Sequence, residues 1–532
     1  MNSLNKSNIT LLQEYNSEQC VNSIRENIEL LNIDTMTSLV KENIKVNLTN
    51  LKKRPESYSF DECNSSELVA ELIHNSAIFC FETNCWWVFD GILWIKDQKK
   101  IIVERVITIC LNVLLEYTYC IKDFDLQERY HKQIKRLMRY NSRKNILADC
   151  RSASLVHFWM FDSNANQVNF MNGVYDLKED KFISGHKPSD YMTKICACNY
   201  DPTARSTRFE KFIQEICSDW QKRIIDQEEI EYKTAVAQKM KFLQLVLGYC
   251  LFGKNPKEKM FILHGPSSRN GKGTLMNTVM KILHTYGRTT SAEILASKKY
   301  INSSAPSEEI ARLAGARLIN ITEADKNTQM RSGTIKSLVG NDPIAARFLH
   351  ENSFEFRPDF KMILSTNHLL TCNDPTIFKS NRIVLIPFNN HFDERTQDTR
   401  LKDDFAKPEV LSAVANWLIQ GYRYYKIEKF NNIPDEVKEA TNSYQKESDQ
   451  LECYIAECLQ GDPHSEVPLK ALHSHYQDWC TDNGYSLETL KQFKNSLLQH
   501  AKIIKKRPNG APASTTQLQM VCGFAFSKKM VA

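Results

Sequence analysis

Gly265, Pro266, Ser267, Ser268, Arg269, Asn270, Gly271, Lys272, Gly273 and Thr274 form one uninterrupted stretch. Its residue types suit the binding of a phosphate chain. Glycines let backbone N–H groups approach an anion closely, a lysine supplies positive charge, and a hydroxyl can hold a phosphate oxygen or a metal ion. Five residues separate Gly265 from Gly271, and Lys272 is followed by Gly273, which has no side-chain oxygen. Thr274 is therefore the residue expected to contact Mg²⁺ or a phosphate, while Lys272 is expected to reach the β- and γ-phosphates of a nucleotide such as ATP.

Such a loop works only between a strand and a helix, whose N-terminus faces the anion. The apolar run Met260 to Leu263 predicts the strand, and the spacing in Leu275 to Leu283 predicts the helix. A second buried strand is expected from Leu318, ending at Glu323, 51 residues after Lys272. A carboxylate there can orient attacking water and help hold Mg²⁺. Asp325 lies two residues further on, on the same face if the strand continues. A third strand, Lys361 to Thr366, ends in Asn367, whose amide can position water near a terminal phosphate. Arg382 opens a fourth apolar strand that runs to Phe388, and from that edge it could reach a phosphate bound by a neighbouring subunit. Between the second and third strands, Lys336 to Phe356 predicts a hairpin with Arg347 and His350 near its tip.

The chain has 532 residues, enough for three or four domains, and its 42% apolar and 25% charged content describes soluble globular domains. The net charge of +6 is too small to identify a partner, so local clusters carry the information. Sixteen cysteines occur without any CxxC pair, which suggests reduced thiols. Cys196-Ala-Cys198 has no matching ligand set nearby. The first residues show no basic-then-apolar leader, and no stretch is apolar enough to span a membrane.

Residues 1–60 are expected to be an arm or a small helical cap, and 61–205 a second unit. Within that unit, Cys85 to Trp94 alternates around Asp90-Gly91 and predicts a hairpin. Ile101 to Tyr140 has a helical pattern and ends in a basic stretch that runs on to Lys144; this is either a nucleic-acid grip or a solvated face. Asp123 and Asp125 have the spacing of a metal-holding pair, although such a pair inside a helical run is usually surface charge. The core is expected over 206–430 and a last domain over 440–532. From Thr489 onward there are eight Lys or Arg residues and no acid. Three short helices followed by a basic hairpin describe a winged helix, with Lys491, Lys494, Lys505, Lys506 and Arg507 as candidate phosphate contacts.

The loop, Glu308-Ile310-Ala311-Arg312-Leu313 with Gly315-Ala316-Arg317-Leu318, Gly340-Asn-Asp-Pro, Ser365-Thr-Asn-His and Arg382-Ile-Val-Leu-Ile-Pro-Phe388 occur in this order. The set resembles superfamily 3 helicases of the phage, plasmid and poxvirus primase-helicase type. The resemblance implies a multidomain α/β protein: an AAA+ P-loop core, a mostly helical N-terminal region and a C-terminal winged helix. It implies ATP and Mg²⁺ as cofactors, self-association into a ring, commonly a hexamer, and 3′-to-5′ movement on single-stranded or forked DNA during phage or mobile-element replication. By the same resemblance Lys272 and Thr274 are phosphate-loop positions, Glu323 the Walker B acid, Asn367 the sensor and Arg382 an arginine finger acting in trans. Lys336 to His350 matches the segment that supplies a pore hairpin. Origin DNA and a separate primase are further candidate partners, because 60 upstream residues are too few for a primase domain, and the expected compartment is the bacterial cytosol. Two other readings use the same residues: an origin-binding initiator or loader whose ATPase does not unwind, and a nucleotide kinase.

Overall fold

The structure, a computed structural model, describes residues 33–58, 62–219, 229–296, 308–322, 329–347, 353–372, 376–448, 450–483, 487–498, 500–506 and 517–527. Helix α1 (Ile33–Thr49) already packs on the unit that follows, through Met36, Val40 and Ile44. That unit contains α2 (Glu62–Ile73), β1 (Ala77–Cys80), β2 (Cys85–Phe89), β3 (Trp94–Asp97), α3 (Ile101–Thr118), α4 (Phe124–Leu137), α5 (Tyr140–Ala153) and β4 (Leu155–Val156). Its sheet has the order β3-β2-β1-β4, with β4 parallel to β1 and the other pairs antiparallel.

The hairpin expected around Asp90-Gly91 is present. The Asp90 carboxylate accepts the N–H groups of Ile92 and Leu93, each at 2.8 Å, and Gly91 takes a φ of +101° that favours glycine. Burial raises the Asp90 pKa to about 6. The helical stretch expected from 101 to 140 divides after Thr118 and again after Leu137. Asp123 makes the first restart possible, because its carboxylate accepts the Leu126 N–H at 3.0 Å and caps α4. The Asp123/Asp125 pair is thus the start of a helix, and no metal-holding group of three His, Cys, Asp or Glu residues occurs among the described residues.

An antiparallel sheet of β5 (Gln167–Phe170), β6 (Gly173–Asp176) and β7 (Lys181–Ser184) comes next. Its Val168, Phe170 and Tyr175 share an apolar cluster with α6 (Thr207–Cys217) and α7 (Glu229–Tyr249), so residues 167–200 pack on the core. The core strands are β8 (Met260–His264), β9 (Gly287–Ser291) and β10 (Leu318–Thr322), with α8 (Lys272–Leu283) between the first two. The short strand β11 (Gln329–Met330) precedes α9 (Ser332–Val339), and the hairpin β12 (Ile344–Ala346) and β13 (Phe354–Phe356) follows it. Then come β14 (Lys361–Thr366), β15 (Thr371–Cys372), β16 (Ile383–Pro387), α10 (Pro408–Glu428) and α11 (Asp435–Ser448).

Five of these strands form one sheet, β16-β8-β14-β10-β9, parallel throughout. Successive residues of a strand face opposite sides. Phe261 and Leu263 therefore pack with α7, α8 and α10, while Met260 and Ile262 pack against α9 and Tyr444 of α11. Both faces of the sheet are covered, as a parallel sheet requires. Beyond it, α12 (Gln450–Cys458), β17 (Leu459–Pro468), α13 (Leu469–Asp482), α14 (Leu490–Leu497), β18 (Lys502–Lys506) and β19 (Leu518–Phe526) enclose a separate apolar cluster. The expected basic hairpin is β18–β19. Strand β17 joins it to make a third strand that the sequence did not announce.

Helices α7 and α10 cross where Gly248 meets Gly421. A Cβ on Gly248 would collide with the Tyr422 amide nitrogen, and one on Gly421 with the Gln244 carbonyl oxygen, both backbone atoms that cannot rotate away. Gly421→Ala should force the helices apart and cost about 1–3 kcal/mol, the usual range for overpacking. A thermal melt with no loss of midpoint would show that the crossing is slacker than this geometry requires.

Candidate active site

Strand β8 delivers the loop to the C-terminal edge of the parallel sheet, where ligands of open α/β sheets bind. Helix α8 starts at Lys272, and Gly271 before it has a φ of +83°. A Cβ on Gly271 would collide with Ile216 of α6, and one on Gly265 with the Asn270 side chain and the Phe388 carbonyl. Beyond Gly273, by contrast, a Cβ would meet no atom within 4 Å. The loop is closed against protein on one side and open on the other. Asn270 is buried and holds the loop's shape, its Nδ2 donating to the Ser267 carbonyl at 2.7 Å.

Lys272 is only 5% exposed. Its Nζ donates to Asn367 Oδ1 at 2.8 Å and lies 3.4 Å from the Gly265 carbonyl oxygen. Burial lowers its pKa to about 8. No described carboxylate pairs with it. Among the described residues this buried cation, at the N-terminus of a twelve-residue helix, meets neutral oxygens, surroundings in which an anion would be favourable. Thr274 is half-buried on the first turn of that helix.

Asn367 comes from the neighbouring strand. The β14/β8 register sets Thr366 against His264, so Asn367 follows at the level of the loop. Strand β10 lies on the far side of β14 and ends at Thr322 on the same edge. Glu323 and Asp325 lie outside the described residues. The structure thus joins Lys272 to Asn367 directly and brings the strand before Glu323 to the same end of the sheet.

Arg382 occupies the opposite edge. Its carbonyl accepts the Met260 N–H at 2.7 Å, where β8 begins. Roughly 13 Å of strand separates that point from the loop, so Arg382 is remote from its own chain's Lys272. Its guanidinium is paired with Glu258. The same carboxylate accepts from Asn341 Nδ2 at 3.0 Å, which ties Arg382 to the Gly340-Asn-Asp-Pro segment.

The expected hairpin between the second and third strands is β12–β13, with Ala346 opposite Phe354. Arg347 follows β12 and is half-buried, whereas His350 is outside the described residues. Lys336 is not on the hairpin but on α9, half-buried, before the Gly340 turn. The sequence pattern could not separate that short helix from the hairpin strand. In the last domain Lys491 and Lys505 are exposed and Lys494 is half-buried. Lys506 pairs with Glu466 of β17 at 2.8 Å, and Arg507 is outside the described residues.

Three contributors carried no sequence signal strong enough to find them. His264 ends β8 beside the loop, and burial and the Lys272 charge hold its pKa below the ordinary histidine value. The segment after β16 braces the loop from outside, with Phe392 N–H donating to the Arg269 carbonyl at 2.8 Å and His391 Nδ1 within 2.8 Å of the Ser268 carbonyl. Glu258 is the third. No helix among the described residues is long and apolar enough to cross a membrane.

Comparison with known proteins adds three family matches: "D5 N terminal like" over residues 66–218, a family of unknown function (DUF5906) over 263–382, and "Poxvirus D5 protein-like" over 446–523. The chain is 24% identical over 378 residues to "Putative helicase L207/L206" of Acanthamoeba polyphaga mimivirus, which covers 66% of this chain and 37% of that protein. It is 24% identical over 423 residues to "Putative helicase 022R" of Frog virus 3, covering 67% and 43%. To "Primase D5" of Fowlpox virus it is 23% identical over 255 residues, covering 46% and 30%. It thus spans about two fifths of the length of the first two relatives. Among solved structures, the apo NrS-1 C-terminal region (305–718) aligns over 84% of this chain and 95% of that one, with a TM-score of 0.40 and 10% identity. With D5 matches at both ends, D5-named and helicase-named relatives, and the ordered motifs between them, the chain is similar to the D5-type primase-helicases of superfamily 3.

Proposed function

We propose that the chain is an ATP-driven DNA helicase with an AAA+ core and a C-terminal winged helix. One observation carries this reading: the buried Lys272 at the start of α8, hydrogen-bonded at 2.8 Å to Asn367 of the adjacent strand end. The neutral partners of Lys272, the helix N-terminus and the open face at Gly273 fit a triphosphate. Lys272 and the loop amides would bind the β- and γ-phosphates, and Thr274 and Glu323 would hold Mg²⁺. The bound metal would neutralise charge on the phosphates. Asn367 would position water, and Glu323 would orient it for attack. Because Arg382 stands at the far edge of the sheet, its role would be exerted on a neighbour's site, within a ring that is commonly hexameric in this superfamily. The β12–β13 hairpin with Arg347, and the lysines of the last domain, would engage single-stranded or forked DNA, with movement expected 3′ to 5′. Origin DNA and a separate primase remain proposed partners. The relatives named above come from Acanthamoeba polyphaga mimivirus, Frog virus 3 and Fowlpox virus, which lends no support to a phage source or a bacterial cytosol.

The central test is strand displacement on a forked substrate with ATP. Hydrolysis without displacement would leave an initiator or loader instead, and phosphate transfer to AMP would leave a nucleotide kinase.

The depressed pKa of Lys272 predicts a pH signature. The free site holds a proton on Lys272 below about pH 8 and loses it above, whereas bound phosphate favours the charged form. Affinity for a fluorescent ATP analogue should be flat below pH 8 and fall by up to about tenfold per unit above it, as one linked proton requires. Lys272→Arg, whose charge does not titrate, should abolish the slope. An unchanged slope in that variant would assign the titration elsewhere.

Asn367→Ala should keep nucleotide binding within a few-fold but slow ATP hydrolysis by about 10²–10³-fold, the scale of losing one positioned polar group. Equal loss of binding and turnover would make Asn367 a scaffold for Lys272 only.

Arg382→Ala should lower turnover by about 10³–10⁵ where an arginine finger acts in trans. Mixing it with Lys272→Ala, which is inactive alone, should restore hydrolysis, because mixed assemblies contain interfaces with an intact lysine facing an intact arginine. No recovery on mixing, in assemblies shown to exchange subunits, would remove the trans role.

A further inference from the structure

We propose that the exposed face of α4 and the turn into α5 is a docking surface for single-stranded DNA, separate from the nucleotide site and from the last domain. From Arg129 to Lys144, seven of sixteen residues are Lys or Arg and none is acidic. In a chain with 69 basic and 63 acidic residues, such a run is a local departure from balance. Folding keeps the charges together. Tyr130, Ile134 and Leu137 face the core, which turns Arg129, Lys132, Lys135 and Arg136 toward solvent. Arg139 is exposed in the turn, and Tyr140, the first residue of α5, is 59% exposed.

The acids on α4 and at its start are engaged or lie apart from the basic end. Asp123 caps α4, and Glu128 pairs with Lys132 at 2.6 Å. Asp125 lies in the first turn, away from the basic end. No described residue forms an ion pair with Lys135, Arg136 or Arg139. Tyr140 and Arg143 line a shallow hollow with Ile107, Leu147, Lys144 and the one acid Glu104, and the Lys144 ammonium sits 4.3 Å from the centre of the Tyr140 ring. Cations spaced along a helix match phosphates, and an exposed ring among them offers a base a stacking platform. A duplex has no free base to stack on the ring, whereas a single strand does. The combination therefore favours a single strand.

The test is fluorescence anisotropy of a labelled oligothymidylate titrated with the full chain, without nucleotide, over a range of salt. Lysines of the last domain would mask the effect, so the measurement is repeated in a Lys505→Ala/Lys506→Ala background. Arg136→Glu with Arg139→Glu should weaken binding at least tenfold and reduce the slope of log affinity on log salt by about 1.4, two contacts at about 0.7 each for single strands. Tyr140→Ala should weaken binding by roughly 5- to 150-fold for the oligothymidylate but leave a labelled blunt duplex unchanged. If the charge-reversed variant melts early, Arg136→Gln with Arg139→Gln replaces it, with the same slope change expected. Unchanged affinity and slope would overturn the proposal and leave the face to solvent or a protein partner. Equal loss for single strand and duplex in Tyr140→Ala would overturn its single-strand character. Because no ATP is present, a chain that neither hydrolyses nor unwinds still decides the question.

Discussion

A desolvated ammonium that meets no counter-charge among the described residues is the constraint that the core must satisfy. Burying an unpaired cation is costly unless polar groups replace its water. For Lys272 those groups are the Asn367 amide oxygen and, at longer range, the Gly265 carbonyl. The first comes from a strand 95 positions away in sequence. It can arrive only if β14 lies directly beside β8, parallel and in the register that pairs Thr366 with His264. The sheet order and the apolar layers on both faces are thus what allow the lysine to stay charged while buried. The described neutral oxygens do not replace all of its water, and burial lowers its pKa to about 8.

The two edges of the sheet are different chemical ends. At the C-terminal edge stand a buried lysine, an amide and open space; at the N-terminal edge stands an arginine already matched with a carboxylate. Glu258 joins residues from three places: Arg382 before β16, Asn341 after α9, and its own position ahead of β8. Arg382 is therefore held by groups that also fix the Gly340 turn, from which the β12–β13 hairpin leaves. An acceptor end and a donor end on opposite sides of one sheet cannot serve each other within a chain. On the proposed reading, the donor end of one chain would meet the acceptor end of the next, a heterologous contact of the kind from which rings are built.

Much of this was legible in the sequence, for physical reasons that differ by element. The strand and helix on either side of Gly265 to Gly271 were plain because an apolar run, a glycine-bounded turn and a helical apolar spacing follow one another there. The hairpin expected from Cys85 to Trp94 was plain because Asp90-Gly91 is the local chemistry that turns a chain back, and the Asp90 carboxylate does accept the turn's amides. Strand β17 was hidden: Gly461, Asp462 and Pro463 break any strand pattern, and the register indeed shifts between Asp462 and Glu466. The division of 101–140 into separate helices was hidden in an unbroken apolar periodicity and marked only by a capping aspartate. Assigning Lys336 to the hairpin failed because eight residues are too few for helical period to show. Glu258 was invisible for a more general reason: its partner lies 124 positions away, and an ion pair made by the fold leaves no spacing to read.

Lysine appears in two physical states in this chain, and on the proposed reading the contrast would let one protein hold two kinds of phosphate apart. Lys272 has lost its water before any ligand arrives, so it gains most from an anion that enters the same cavity and replaces neutral oxygens. A polymer's backbone phosphates, spread along an extended strand, cannot all reach such a site. The lysines and arginines of α4 keep their hydration. Each offers little alone, and their attraction is shared over several contacts and weakened by salt. Burial thus selects for a compact, concentrated charge, while exposure along a helix selects for a long, dilute one. A net charge of +6 conceals both, because it sums over groups whose surroundings differ more than their chemistry does.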